Sequence, residues 1–117
     1  MYAWNGVKLS LKQRNMKFHI FASICVVAAG LFFKITFAEW VTVIILIALV
    51  MAAEVINTAI EDEANIMRDE LGAPYSRMGK AKDLAAGAVL ILATAAAVIG
   101  AIIFLPRIWT LMMLFLG

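Results

Sequence analysis

Three long apolar stretches constrain this sequence more than any other feature. They cover approximately residues 18–37, 38–60 and 84–105, and the third contains no charged residue. About 20 apolar residues are enough for an α-helix to cross the roughly 30 Å hydrocarbon core of a bilayer. Because lipid offers the backbone no hydrogen-bonding partner, such segments cross as helices. The sequence therefore predicts an all-α membrane protein, with three transmembrane helices in a single domain over residues 1–117.

The composition supports this interpretation and excludes one class of partner. Hydrophobic residues make up 65% of the chain and charged residues 15%, whereas about 45 to 50% of a soluble domain is apolar. The net charge of +2 is too small to indicate a nucleic-acid partner. The basic residues lie in clusters beside the apolar stretches, as is typical of contacts with lipid headgroups.

The segment that precedes the first stretch differs from the other three. Over residues 2–17 it mixes apolar side chains, Trp4 among them, with lysine and arginine. A helix of this composition lies along the membrane surface with its apolar face in the interface. We expect an amphipathic surface helix here rather than a fourth span.

The distribution of basic residues predicts the orientation in the membrane. Four precede the first span, one lies near its end, four lie between the second and third spans, and one follows the third. By the positive-inside rule, the N-terminus and residues 61–83 lie in the cytoplasm of a multi-pass membrane protein. Residues 106–117 then lie outside, and the sequence leaves open whether they continue the third helix or lie along the interface.

Small residues in the third span indicate close helix packing. The stretch "LAAGAVLILATAAAVIGA" is rich in alanine and glycine, which let helix backbones approach closely in a membrane. One subunit with three spans can hardly enclose a site alone. We therefore expect a homo-oligomer.

A polar stripe at the end of the second span is the main candidate for a functional site. Glu54, Asn57 and Glu61 share one helix face and rise about 10 Å along it. A carboxylate at membrane depth costs about 2.5 to 3.5 kcal/mol on insertion scales, so such residues usually face a bundle interior or a polar cavity. The stripe is therefore unusual enough to predict a site.

The depths of the charged groups favour phosphoryl transfer. Glu54, partly out of water, is placed to accept a proton from a hydroxyl. Glu61, nearer to water, is suited to hold magnesium together with substrate phosphates. Lys82, at the start of the third span, is suited to neutralise phosphate charge. The set predicts phosphorylation of a lipid hydroxyl, although no phosphate-binding loop of the type G-x-x-x-x-G-K-[ST] is present.

Purely structural roles remain open for the same residues. Glu54 and Asn57 are also able to hydrogen-bond neighbouring helices. Glu61 is equally compatible with a solvated acidic helix end, and Lys82 with a topology signal. We expect His19 to be a packing or interface residue rather than a ligand.

Four segments carry a specific family resemblance. In order, they are "YAWNGVKLSLK", "FAEW", "EVINTAIE" and "KAKDLAAGAVL". They resemble the small integral-membrane kinases of the bacterial diacylglycerol kinase family, and most of all its undecaprenol kinase branch from Gram-positive bacteria. The motif E-x-x-N-[ST]-A-I-E, followed about twenty residues later by A-K-D, is specific as a pair, whereas either half alone would be weak.

The resemblance implies a homotrimer of three-span subunits with active sites shared between subunits. It also implies that ATP and Mg²⁺ are used to phosphorylate a lipid alcohol. By motif match, Glu54 falls on the catalytic base and contacts the lipid, and Asn57 falls on its polar neighbour. Trp4 falls on the lipid-proximal surface helix.

The same resemblance implies a nucleotide and metal site. Glu61 falls on a carboxylate that binds the metal and its nucleotide, and Lys82 and Asp83 fall on residues that contact nucleotide phosphate and ribose. Tyr2 falls on an aromatic residue near the nucleotide. Gln13 stands where the family has a second metal-binding glutamate.

Two positions depart from the family pattern. Besides Gln13, Asn65 stands where the family has an aspartate. Both changes replace an acid with an amide, which leaves open natural divergence or inactivation. The leading hypothesis is conversion of undecaprenol to undecaprenyl phosphate. The alternatives are a diacylglycerol kinase that makes phosphatidic acid, and a non-catalytic family member.

Overall fold

The computed structural model describes the backbone of residues 1–117 and every side chain except that of residue 75. The chain forms four α-helices: α1 (Tyr2–Ser10), α2 (Arg14–Phe33), α3 (Phe37–Leu71) and α4 (Tyr75–Leu116). The last three are long and apolar enough to cross a membrane. The predicted all-α class is therefore confirmed.

The structure corrects the extent of the N-terminal helix. The single surface helix expected over residues 2–17 divides, because α1 ends at Ser10 and α2 already begins at Arg14. Gln13 has extended backbone angles, with φ −76° and ψ 140°, and forms the N-cap of α2. Residues 11–13 form a turn between the two helices and interrupt the helical hydrogen-bond ladder.

The charged segment at residues 61–83 is mainly helical. α3 continues to Leu71 and α4 starts only a few residues later, so a short connection over residues 72–74 joins them. Gly72 ends α3 in the left-handed conformation, with φ 68°, which suits a residue without a Cβ atom. The 35 residues of α3 span about 52 Å at 1.5 Å per residue, more than a hydrocarbon core. The charged end of α3 thus extends past the apolar layer.

The C-terminal segment continues the third long helix. α4 passes through Pro106 and ends at Leu116. Residues 106–116 therefore continue the third long helix and do not form a separate segment along the membrane interface. Thr110 donates its hydroxyl hydrogen to the carbonyl of Pro106, at 3.0 Å. A proline removes one backbone donor and so one hydrogen bond of the helix ladder, a loss that membrane helices commonly tolerate.

Polar contacts stabilise the end of the bundle where a short turn connects α2 to α3, opposite to the end at residues 72–74. Thr36 and Glu39 form a capping box at the start of α3. The guanidinium of Arg107 donates to both carboxylate oxygens of Glu39, at 2.7 and 3.0 Å. This fork-shaped ion pair joins α4 to the first turn of α3.

The buried core lies beside this ion pair. Ile35, Val43, Ile103 and Phe104 form it, and α3 packs most extensively against α4. Most other large apolar side chains are exposed. That distribution is expected where lipid or further protein, rather than water, surrounds the helices.

The packing of the α2–α3 turn generates a stability prediction at Gly30. A Cβ atom there would lie 2.8 Å from the Trp40 ring and 3.2 Å from the side chain of Ile35. We expect Gly30→Ala to destabilise the protein by about 1–3 kcal/mol through overpacking. Gly87→Ala is the control, since its added methyl group meets nothing within 4 Å. Equal thermal stability of the two variants in detergent would contradict the packing described.

Candidate active site

The polar stripe of α3 faces the interior of the helix bundle. Glu54 and Asn57 are each only 3% exposed, while Glu61 and Asn65 are half-buried. Their spacing keeps all four on one side of the helix. Burial of a carboxylate and an amide among apolar helices agrees with the expectation that this face lines a polar interior.

His19 of α2 lies against the deepest carboxylate. Its Nε2 atom is 3.7 Å from Oε2 of Glu54, and the two side chains are 15% and 4% exposed. The edge of Phe18 packs against the imidazole ring. This separation is an ion-pair distance rather than a hydrogen bond. The contact places the chain's one histidine beside the buried acid.

Sequence reasoning missed this contact, although a signal for it was present. α2 and α3 form an antiparallel pair with a short connection around residue 35. Residues at similar distances from such a connection lie at similar depths. His19 precedes residue 35 by about as many positions as Glu54 follows it, so the two were candidates for a shared depth.

Asn57 lies between the two carboxylates of the stripe and is hydrogen-bonded to the shallower one. Its Nδ2 donates to Oε1 of Glu61 at 3.2 Å. Its Oδ1 is buried and has no hydrogen-bond partner among the described atoms. Because an unpaired buried acceptor is costly, a donor or cation arriving at this point is favoured. The amide and the Glu61 carboxylate are both hard oxygen donors, which magnesium prefers.

Lys82 joins the site from α4 at a shallower level. Its ammonium donates to Oδ1 of Asn65 at 3.0 Å. The amide orients the lysine without neutralising its charge, whereas an aspartate would form an ion pair. Asn65 lies eleven residues after Glu54 on the same face, a rise of about 16 Å along the helix. The buried acid and the lysine therefore mark two ends of one polar stripe.

The remaining residues expected at the site are exposed. Tyr2 is 97% and Trp4 60% exposed on α1, and Gln13 is exposed at the start of α2. No hydrogen bond or ion pair among the described residues links these three to the stripe. Asp83 is exposed on α4. Their functional roles remain predictions.

The described side chains contain no group of three or more histidine, cysteine, aspartate or glutamate residues placed to hold a metal ion. A metal at the stripe would therefore take only part of its coordination from the protein. That is the usual situation for magnesium, which keeps several waters and binds through one or two carboxylates plus substrate phosphates.

Comparison with known proteins identifies the family. The sequence model for prokaryotic diacylglycerol kinase matches residues 1–104. The chain belongs to the prokaryotic diacylglycerol kinase family. Membership makes it a lipid kinase, with a lipid substrate, a nucleotide phosphoryl donor and a membrane setting.

Individual relatives agree with this assignment. The chain is 35% identical over 110 residues to the undecaprenol kinase of Bacillus subtilis (strain 168), covering 92% of this chain and 86% of that protein. It is also 35% identical to a diacylglycerol kinase of Synechocystis sp., over 95% of this chain and 63% of the relative. A third relative, a diacylglycerol kinase of Sinorhizobium sp., is 35% identical over 80% of this chain and 66% of its own length. No solved structure matches the chain significantly.

The position of Lys82 generates a prediction about the nucleotide. Lys82→Met removes a cation held by Asn65 and keeps most of the side-chain volume. A hydrogen bond to a charged group contributes about 1.5–3 kcal/mol, so we expect the KM for the nucleotide to rise roughly 10- to 100-fold. Lys80→Met is the matched control, because Lys80 is exposed two residues away. Steady-state kinetics in detergent would contradict the assignment if both variants had the same nucleotide KM.

Proposed function

We propose that the chain transfers the γ-phosphoryl group of ATP to the hydroxyl of undecaprenol, giving undecaprenyl phosphate. The observation that carries the proposal is the buried Glu54 carboxylate beside His19. It lies among apolar helices, where the hydroxyl of a membrane lipid is able to reach it. The likeness to the undecaprenol kinase of Bacillus subtilis, over 86% of that protein, favours the prenol.

The reaction follows from the two ends of the stripe. ATP is proposed to lie along α3, with its triphosphate between Lys82 and Glu54 and its γ-phosphoryl group nearest to Glu54. The lipid oxygen attacks the γ-phosphorus in line as Glu54 takes the hydroxyl proton. The bond from the γ-phosphorus to the bridging oxygen breaks, and ADP leaves. Asn57 keeps the neighbouring Glu61 carboxylate in place through its amide hydrogen bond.

Magnesium fits the oxygen donors at this point. Glu61 would hold it, with Gln13 contributing a neutral carbonyl oxygen and the unpartnered Oδ1 of Asn57 facing the same region. When bound, the ion would neutralise negative charge on the transferring phosphates. Asp83 and Tyr2 are proposed to contact the ribose and base of ATP.

The orientation and assembly complete the proposal. The N-terminus and residues 61–83 are proposed to lie in the cytoplasm, where ATP is available, because the basic residues concentrate there. Trp4 is proposed to lie near the lipid on the surface helix. Three chains are proposed to form a homotrimer, since one chain leaves most of its large apolar side chains exposed.

A diacylglycerol acceptor is the second candidate, since two relatives are named diacylglycerol kinase. The test is an assay of the purified protein with labelled ATP, magnesium and a panel of lipid alcohols. We expect undecaprenol to give the highest kcat/KM. A higher value for diacylglycerol would favour the second candidate, and no labelled product from any alcohol would refute both.

The role of Glu54 generates the main mechanistic prediction. Glu54→Gln removes proton acceptance but little volume, so we expect kcat to fall about 100- to 10,000-fold. Folding should persist, because an uncharged amide is cheaper to bury. Glu63→Gln is the matched control, since Glu63 is an exposed acid on the same helix. Near-normal turnover of Glu54→Gln would exclude Glu54 as the base.

An inactive Glu54 variant also tests whether sites are shared between subunits. A Glu54→Ala chain is expected to be inactive, and a Lys82→Ala chain to be strongly impaired at low ATP. If a site pairs Glu54 of one chain with Lys82 of another, a mixed trimer contains sites in which both residues are intact, so some activity at low ATP should return. If subunits mix and no activity returns, either both residues serve the site from the same chain or the sites are not shared between subunits.

The neutral Gln13 generates a prediction about magnesium. A glutamine offers a carbonyl oxygen but no charge, so the site should bind the cation more weakly than one with two acids. We expect Gln13→Glu to lower the magnesium concentration that gives half-maximal rate and to raise turnover. The measurement is a magnesium titration of both forms at fixed ATP. Superimposable curves would show that Gln13 does not face the metal.

A further inference from the structure

An apolar cavity of about 290 Å³ lies between α2, α3 and α4. Side chains from all three helices line it, including Val26 of α2, Val50 of α3 and Phe104 of α4. Among the described side chains, none that lines the cavity is an aspartate, glutamate, lysine or arginine. The one hydroxyl among them, that of Ser23, already donates to the carbonyl of His19 at 2.7 Å. Walls of this kind favour hydrocarbon over water.

One end of the cavity lies next to the residue that contacts the buried Glu54 carboxylate. His19 lines it, and its imidazole is 3.7 Å from the carboxylate of Glu54. Val50 also lines it and lies one helical turn before Glu54 on α3. The cavity therefore ends close to the Glu54 carboxylate, with His19 of α2 and Val50 of α3 in its wall at that end.

Small residues of α4 keep this space open. Ala93, Ala96 and Gly100 line the cavity and share one face of the helix. A Cβ atom added to Gly100 would meet nothing within 4 Å, in contrast to Gly30, which is packed against Trp40. The alanine-rich stretch of α4 therefore leaves volume on this face, in addition to permitting close helix packing.

The wall of the cavity is packed less tightly on one side than on the others. α2 packs mainly against α3 and contacts α4 less. The side between α2 and α4 is thus the loosest part of the wall. Lipid chains lie along the same direction as these helices, so a chain can enter sideways while its hydroxyl stays near Glu54.

We propose that this cavity binds the segment of the lipid's hydrocarbon chain next to the reacting hydroxyl. The proposal rests on the proposed function, because it takes Glu54 as the point where the hydroxyl reacts. The volume is at the lower end for small-molecule sites, about 300–1,000 Å³. It therefore takes part of a single chain and favours an alcohol with one chain at the hydroxyl over one with two.

Filling the cavity tests the proposal. Ala96→Leu and Gly100→Leu each add a branched side chain to its wall, with undecaprenol in detergent micelles as the probe. We expect the KM for undecaprenol to rise about tenfold or more, as for added methylenes in an apolar pocket. The KM for ATP should not change, because the nucleotide lies elsewhere on α3.

Ala95→Leu is the matched control. Ala95 is exposed, adjoins Ala96 on the same helix and does not line the cavity. We expect its kinetics to resemble those of the unmodified protein. The proposal is overturned if all three variants have the same KM for undecaprenol, whether raised or unchanged.

Photolabelling tests the cavity independently of activity and of variant folding. The probe is a long-chain prenol that carries a diazirine a few carbons from the hydroxyl, applied to the unmodified protein. We expect labelling within residues 18–26, 43–50 and 93–104, reduced by excess undecaprenol. Labelling confined to other surfaces overturns the proposal. Cavity labelling without phosphorylation of any lipid alcohol would refute the proposed function and leave the cavity as a lipid site.

Discussion

The burial of one carboxylate among apolar helices is the constraint on which the rest of this structure depends. Glu54 is almost fully enclosed, and removing a charge from water is expensive unless nearby groups compensate. His19 lies at ion-pair distance from it, and Asn57 adds an amide one turn away. The helices must therefore pack so that a polar interior exists at this depth.

The opposite end of the bundle sets that depth. The short turn between α2 and α3 fixes how the two helices align, so His19 meets Glu54 and not a residue one turn away. The Thr36 capping box and the ion pair between Glu39 and Arg107 then hold α4 against the start of α3. Contacts at one end of long helices thus position chemical groups at the other end.

Charge is arranged along α3 to suit a lipid kinase. In the proposed reaction, Glu54 in the apolar region faces the lipid acceptor, and Lys82 of α4, held beside the charged end of α3, faces the nucleotide donor. Asn65 is informative here, because an amide orients Lys82 while leaving its positive charge available to phosphate. The asparagine at position 65, where the family has an aspartate, is therefore compatible with an active enzyme, because Lys82 forms no ion pair with it and keeps its positive charge.

The sequence by itself determined the all-α class, the three long apolar helices and the stripe formed by Glu54, Asn57 and Glu61. The length of an apolar stretch and the spacing of residues along one helix are local properties, so they can be predicted without knowing the tertiary structure. The tertiary structure alone decided the contact of His19 with Glu54, the pairing of Lys82 with Asn65, and the cavity beneath them. Each depends on how far one helix is shifted and rotated against another, which is set by side-chain packing between segments distant in the chain. The end of α3 at residue 71 and the start of α4 at residue 75 could not be predicted from the sequence either. Charged residues show where a chain leaves the membrane, but they do not by themselves end a helix.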